Sequence, residues 1–160
     1  MSGTALAALA SAGIPHRVLR HGPVRSVAEA ADALGVEVPD VVKTLVVRRA
    51  EQDYVFVLVP GDRVMSWPKL RSLLGVNRLS LPGADEARSA TGYERGTITP
   101  FGSRGAWPVV ADERIRGRSI TLGTGEHGSA VALDADAALD ALAGTVADVS
   151  DPEPPDPPGP

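Results

Sequence analysis

Two spacings of apolar residues alternate along this chain, and each change of spacing marks an element. Residues 3–12 carry Leu6 and Leu9 on one face of a short helix that Thr4 can cap and Gly13 ends. His16 to Leu19 reads as a strand, broken by His21-Gly22-Pro23. Ser26-Val27-Ala28-Glu29 is a capping box: the serine hydroxyl accepts from a free helical N–H and the glutamate reaches back. Val27, Ala30, Ala31 and Leu34 share a face of that second helix, and Gly35 stops it. Asp40–Arg49 and Tyr54–Val59 are then strongly β-prone, with a polar turn between them, so they are expected to pair antiparallel.

The second half is written in shorter words. Ser66 caps a third helix with Leu70, Leu73 and Leu74 inward and Gly75 as its stop, Asn77–Leu81 reads as a short strand, and Asp85–Ala90 as a short helix. Trp107–Val110 is a further strand, and Ser119–Leu122 is expected to pair with Ala130–Leu133. Asp134 caps a last helix ended by Gly144. The final residues, DPEPPDPPGP, hold six prolines in ten positions, a composition that reads as an extended, disordered tail. One domain over residues 1–148 and a Pro-rich tail over 149–160 are therefore expected.

One polar stretch breaks the pattern. Ser89 to Gly102, SATGYERGTITPFG, concentrates turn-forming residues where a plain connection needs few, and reads as a loop shaped for a ligand. Lys43 is a second irregularity. Alternation places it on a strand face with Val41, Leu45 and Val47, so it does not lie on a plain solvent face; it either snorkels at a sheet edge or serves a site. A third is GTGEHGS, where three glycines surround His127: a tight hairpin turn with an exposed histidine, or a histidine presented to a ligand.

Composition narrows the chemistry. The net charge of −4 argues against a broad basic surface for duplex binding and leaves room for a local basic patch. Without cysteine there is no disulfide framework, thiolate metal site or cysteine nucleophile. No carboxylate or second histidine stands at metal spacing from His127, so no metal or other cofactor is expected. No GxSxG elbow, P-loop or dinucleotide fingerprint occurs. The N-terminus lacks the basic start of a secretory signal and no run is long enough for a membrane span, so a cytoplasmic location is expected.

Three segments, HGPVRSVAEAADALGVEVPDVVKTLVVR, TGYERGTITPFG and GTGEHGSAVAL, resemble in sequence and order the YbaK / prolyl-tRNA-synthetase-associated domain family of aminoacyl-tRNA deacylases. The resemblance covers residues 1–143. It implies an α+β fold, with one mixed, curved, barrel-like sheet of six or seven strands flanked by short helices. It implies that Lys43 and Gly96 are the catalytic positions, with Lys43 holding the ester or the adjacent phosphate. Thr44 then lines the pocket, and Gly96-Thr97-Ile98-Thr99-Pro100 surrounds the reacting carbonyl. Tyr93, Phe101 and Gly102 support that loop. Gly125 and His127 border the side-chain pocket, and His21 matches a polar position at the end of the first strand. The implied reaction is hydrolysis, in trans, of a small amino acid from tRNA, alanine on tRNA for proline first. It runs by positioning and oxyanion stabilisation with no protein nucleophile. The partners implied are the tRNA acceptor end and prolyl-tRNA synthetase; Arg17, Arg20, Arg25, Lys69 and Arg71 are candidate phosphate contacts. The competing readings are a non-catalytic tRNA- or synthetase-binding module on the same scaffold and a hydrolase of small free esters or amides.

Overall fold

A computed structural model describes residues 3–153. Helix α1 (Gly3–Ser11) leads into strand β1 (His16–Arg20) and helix α2 (Val27–Leu34). Ser26 caps α2 by accepting from the Glu29 N–H, and Gly35 closes it in the left-handed region at φ 71°. After a 3-10 turn at Val38–Asp40 come β2 (Val42–Ala50) and β3 (Asp53–Pro60), which pair antiparallel as expected, with a bulge between Arg48 and Ala50. A short β4 (Arg63–Met65) precedes α3 (Trp67–Leu74) and α4 (Ala84–Thr91). The chain then runs through β5 (Val109–Asp112), a 3-10 turn at Glu113–Ile115, β6 (Ser119–Gly123), β7 (Ser129–Asp134), α5 (Ala135–Leu142), β8 (Thr145–Ala147) and β9 (Ser150–Pro152).

Strand β3 is the centre of the molecule because both of its faces are buried. Tyr54, Phe56 and Leu58 point into one cluster with α1, β6, β7 and α5. Val55, Val57 and Val59 point into a second with Leu70, Val110 and Val149. A strand buried on both sides needs the near-continuous apolar run that YVFVLV supplies.

The expected α+β class holds, but the strands do not form one barrel-like sheet. Among the described residues, nine strands divide into three sheets, ordered β1-β7-β6, β2-β3-β5-β8 and β4-β9. The edges of the first two meet only at the isolated bridge Val41–Thr121, so closure stops there. Asn77–Leu81 is not a strand; Ser80 alone bridges Arg48, exchanging both backbone bonds at 2.8 and 3.1 Å. The last helix is closed by Ala143 at φ 52°, one residue before Gly144. The fold also runs past residue 148. Val149 and Ser150 are fully buried, and β9 pairs antiparallel with β4, so the tail boundary expected at 149 falls inside the structure. Residues 154–160 lie outside the described residues.

Candidate functional site

Strand β2 is an edge strand, and among the described residues its outer edge is covered at two points only: Val41 against Thr121 and Arg48 against Ser80. Both backbone groups of Arg48 face outward to Ser80, and alternation gives Val46 and Thr44 the same direction. Between these two bridges lies a cavity of about 450 Å³, bounded on the far side by the edge of β6 and by the loop at Gly96. Its wall is largely apolar, with Val42, Val46, Leu122 and Ala130 among its members.

Of the residues singled out in the sequence, Lys43, Thr44, Gly96, Ile98 and His21 line this cavity. The lysine ammonium does not point across it at the loop. It donates to the Arg63 carbonyl at 2.5 Å, on the β4 side of the strand. This is the face that alternation assigned it, shared with Leu45 and Val47, whereas Thr44 stands on the other face. Partial burial pushes the Lys43 ammonium below its usual pKa, and the nearby charges of Glu153 and Asp62 pull it part of the way back.

Tyr93, Thr97, Thr99, Pro100, Phe101, Gly102, Gly125 and His127 do not line the cavity. Most of them hold the loop. The buried Tyr93 hydroxyl donates to the Phe101 carbonyl at 2.7 Å and shares a bond with Thr4 at 3.0 Å. The Thr97 hydroxyl and the Thr97 N–H both donate to the Glu94 carbonyl, at 2.6 and 3.0 Å. The Thr97 carbonyl accepts from the Gly125 N–H at 2.8 Å, which ties the loop to the β6–β7 turn. A Cβ at Gly125 would stand 2.4 Å from the Tyr93 ring, and one at Gly102 would stand 2.4 Å from the Thr4 carbonyl oxygen. Both glycines have positive φ, so the backbone and the space each require glycine. His127 is exposed and pairs with the Glu94 carboxylate at 3.1 Å, on the rim of the loop rather than in the cavity wall.

These bonds decide which loop amides remain for a ligand. Thr97 has spent its N–H and Pro100 has none. Among the described residues nothing occupies the N–H of Gly96 or Ile98, and both residues line the cavity. Further wall residues escaped the sequence reading, the polar Arg95 and Ser129 among them. Ser129 opens β7 and alternates with the buried Val131 and Leu133, the same polar-on-apolar pattern that exposed Lys43. It was hidden because the strand reads as starting at Ala130. Among the described residues no three His, Asp or Glu side chains converge to hold a metal ion.

With this geometry in view, residues 21–141 match the model of the aminoacyl-tRNA editing domain. The chain belongs to the aminoacyl-tRNA editing domain family. It is 37% identical over 101 residues to a proline–tRNA ligase of Thermosipho melanesiensis, covering 62% of this chain and 18% of the ligase. The chain thus spans under a quarter of the length of that relative. It is 27% identical to an Enterococcus faecalis protein named for a proposed Cys-tRNA(Pro)/Cys-tRNA(Cys) deacylase activity, covering 74% of this chain and 73% of that one. Among solved structures, a proposed trans-editing enzyme for prolyl-tRNA synthetase superposes with a TM-score of 0.86 at 26% identity, covering 94% of this chain and 96% of that one. The editing-domain match begins at His21 and takes in β2, the Gly96 loop and the β6–β7 turn. Among the described residues no helix is long and apolar enough to cross a membrane.

Proposed function

We propose that this editing domain hydrolyses the ester of a mischarged aminoacyl-tRNA, in trans. The observation that carries the reading is the coincidence of the family match with a cavity that gathers Gly96, Ile98, Lys43 and Thr44 at an open sheet edge. Among the described residues no Cys, Asp or Glu side chain lines that cavity, and its Thr44 and Ser129 hydroxyls have no base bonded to them that would activate them; on this reading the attacking oxygen therefore comes from water or from the tRNA itself. The protein then acts by position and charge. The free N–H groups of Gly96 and Ile98 donate to the ester oxygen as it turns anionic, the service an oxyanion hole gives. Lys43 has a flexible four-carbon stem. Leaving the Arg63 carbonyl, its ammonium reaches the ester or the neighbouring phosphate.

An apolar acyl group suits the largely apolar wall, and among small amino acids alanine is the first choice. A larger correct amino acid is excluded by volume, the second sieve of editing. The relation to proline–tRNA ligases points to tRNA for proline, and prolyl-tRNA synthetase is the natural protein partner. A hollow lined by Arg48, Arg49, Arg71 and Arg78 adjoins the cavity along the same edge, through Ser80 and Leu81. It gives an acidic protein a local patch for acceptor-stem phosphates. Of the candidates named from sequence, Arg71 belongs to it, whereas Lys69 is held by Asp148 and Asp151. The test is deacylation of tRNA for proline charged with alanine, cysteine or serine. Hydrolysis of at least one is expected, with alanine fastest and Lys43→Ala slower by about a hundredfold or more. Tight tRNA binding without hydrolysis of any of them would overturn the enzyme reading in favour of a binding module.

A further inference from the structure

Every aminoacyl ester carries an α-ammonium, and in a largely apolar cavity that group must exchange its water for protein acceptors. Among the described residues no carboxylate lines this cavity, and its ionic members, Lys43 and Arg95, are themselves cations. What the wall offers instead is oxygen without charge. The Thr44 Oγ1 and the Ser129 Oγ are both buried, both belong to wall residues, and neither has a hydrogen-bond partner. Ser129 is 6% exposed. Partnerless buried hydroxyls are rare in folded proteins and call for a reason. Among the described residues only one other is found, Ser103, and it lies outside the cavity. The outer edge of β2 adds a third source, since the carbonyls of Thr44 and Val46 face the cavity between the two bridges.

We propose that Ser129, together with Thr44 and the carbonyl edge of β2, forms the site that binds the α-ammonium of the aminoacyl group. Ser129 approaches from β7 and Thr44 from β2, so two different sheets grip the same nitrogen. The acyl carbon is thereby oriented with its carbonyl toward the free amides of Gly96 and Ile98. A hydroxyl can accept from an ammonium as readily as from a neutral donor, and it does so without the desolvation cost of a buried carboxylate. The inference rests on the deacylation reading for the identity of the ligand, but it is tested by binding alone.

Two stable analogues separate the possibilities: an acceptor-stem minihelix ending in a 3′-alanylamide, and the same minihelix ending in a 3′-propionylamide. They differ only in the ammonium. The wild-type protein is expected to bind the alanyl form about tenfold tighter, the scale of a hydrogen bond to a charged group. Ser129→Ala should shrink that preference to about twofold or less while leaving propionylamide affinity and the melting temperature nearly unchanged. Ser129→Thr, which keeps an acceptor, should restore part of it, and Thr44→Val should weaken it as Ser129→Ala does. A wild type without preference, or a preference untouched by both Ser129→Ala and Thr44→Val, would overturn the assignment. So would Ser129→Ala lowering both affinities equally. A wild type that discriminates between the analogues yet hydrolyses no charged tRNA would leave the ammonium site standing and remove the deacylase.

Discussion

Strand β2 is supported on its two faces by regions built on opposite physics. On the Thr44 face, the loop from Tyr93 to Gly102 is held by excluded volume and backbone hydrogen bonds: Gly102 against α1, Gly125 against the Tyr93 ring, Thr97 to Glu94 and Gly125. On the Lys43 face, the β4–β9 ribbon is held by charge. The fully buried Asp112 carboxylate accepts from the Ser150 hydroxyl at 2.7 Å, the Val149 N–H at 3.1 Å and the Arg114 guanidinium at 3.1 Å. Arg63 donates to the Ser150 hydroxyl at 2.7 Å, and its own carbonyl receives Lys43. The amides offered to the reacting carbonyl are therefore fixed by shape, and the ammonium is fixed by an ionic lattice. The first should depend little on pH and salt, its exposed Glu94–His127 pair lying only on the rim, and the second should follow them.

The largest expected effect breaks the loop side. Gly102→Ala meets both penalties at once, a φ of +70° and the Thr4 carbonyl 2.4 Å from the new Cβ. A loss of about 3 kcal/mol, or on the order of 10 °C in melting temperature, is expected. Gly117→Ala is the control, because its φ of +75° is equally strained but nothing stands within 4 Å of the new atom. It should cost only about 1 kcal/mol. Equal melting temperatures for the two variants would mean that the loop is not wedged against α1.

The next effect breaks the ribbon. Asp112→Asn removes a buried charge and takes from Arg114 one of its two carboxylate partners, leaving Asp148, at a cost of about 2 kcal/mol. Its signature is local: amide exchange should rise in β4 and β9 and stay unchanged at the Thr97 and Gly125 amides. Deacylation should fall with it, since the β4 segment against which Lys43 rests, and from which it swings to the ester, loosens. Faster exchange at Thr97 and Gly125 to the same extent would show that the two supports are one unit.

That asymmetry also separates what was legible in the sequence from what was not. The β2–β3 hairpin and the stop at Gly35 are local patterns and stand as read; of the Ser26 capping box, the serine half forms, with the Glu29 N–H donating to the Ser26 hydroxyl, while among the described bonds the Glu29 carboxylate does not reach back. The loop was recognisable from its glycines, although most of its named residues prove to buttress it rather than touch the cavity. The ribbon was invisible. Its strands are three residues each, they pair across 87 positions, and what joins them is contact between distant polar groups that leaves no period. Composition also misled, because Asp151-Pro152 reads as the start of a proline-rich tail. Pro152 is tolerated there because β9 is an edge strand, where a missing N–H costs nothing. Ser129 was missed by one residue of strand boundary.

Acid should sharpen the contrast with a smaller effect. Burial works to raise the Asp112 pKa, but the bonds from Ser150, Arg114 and Val149 outweigh it and hold the carboxyl below its ordinary range. Arg114 and Lys69 lower Asp148 to about 2. Carboxyls depressed in the folded state stabilise it above their unfolded pKa, near 4, and that contribution is lost as pH falls through the folded value. The ribbon should therefore loosen between about pH 4 and pH 2, reported by Trp67 fluorescence, while Trp107, bonded to the Ala90 carbonyl beside the loop, changes later. Simultaneous transitions of the two tryptophans would contradict the division.

Salt gives the smallest effect and the finest test, because it reaches only part of the lattice. At 1 M ionic strength the screening length falls to about 3 Å, so the exposed pairs Lys69–Asp148, Lys69–Asp151 and Arg114–Asp148 lose most of their attraction. Asp112 is shielded from that solvent and keeps its bonds. Exchange in β9 should then rise by less than about fivefold, the scale of exposed ion pairs, with no change at the loop. Lys69→Met should abolish most of that salt response, since Lys69 joins α3 to both Asp148 and Asp151 and also donates to the Ser150 carbonyl at 2.8 Å. A salt response as large as that of Asp112→Asn would mean that the exposed pairs, not the buried carboxylate, hold the ribbon. Lys43 would then be positioned by the surface charges of the protein rather than by its core.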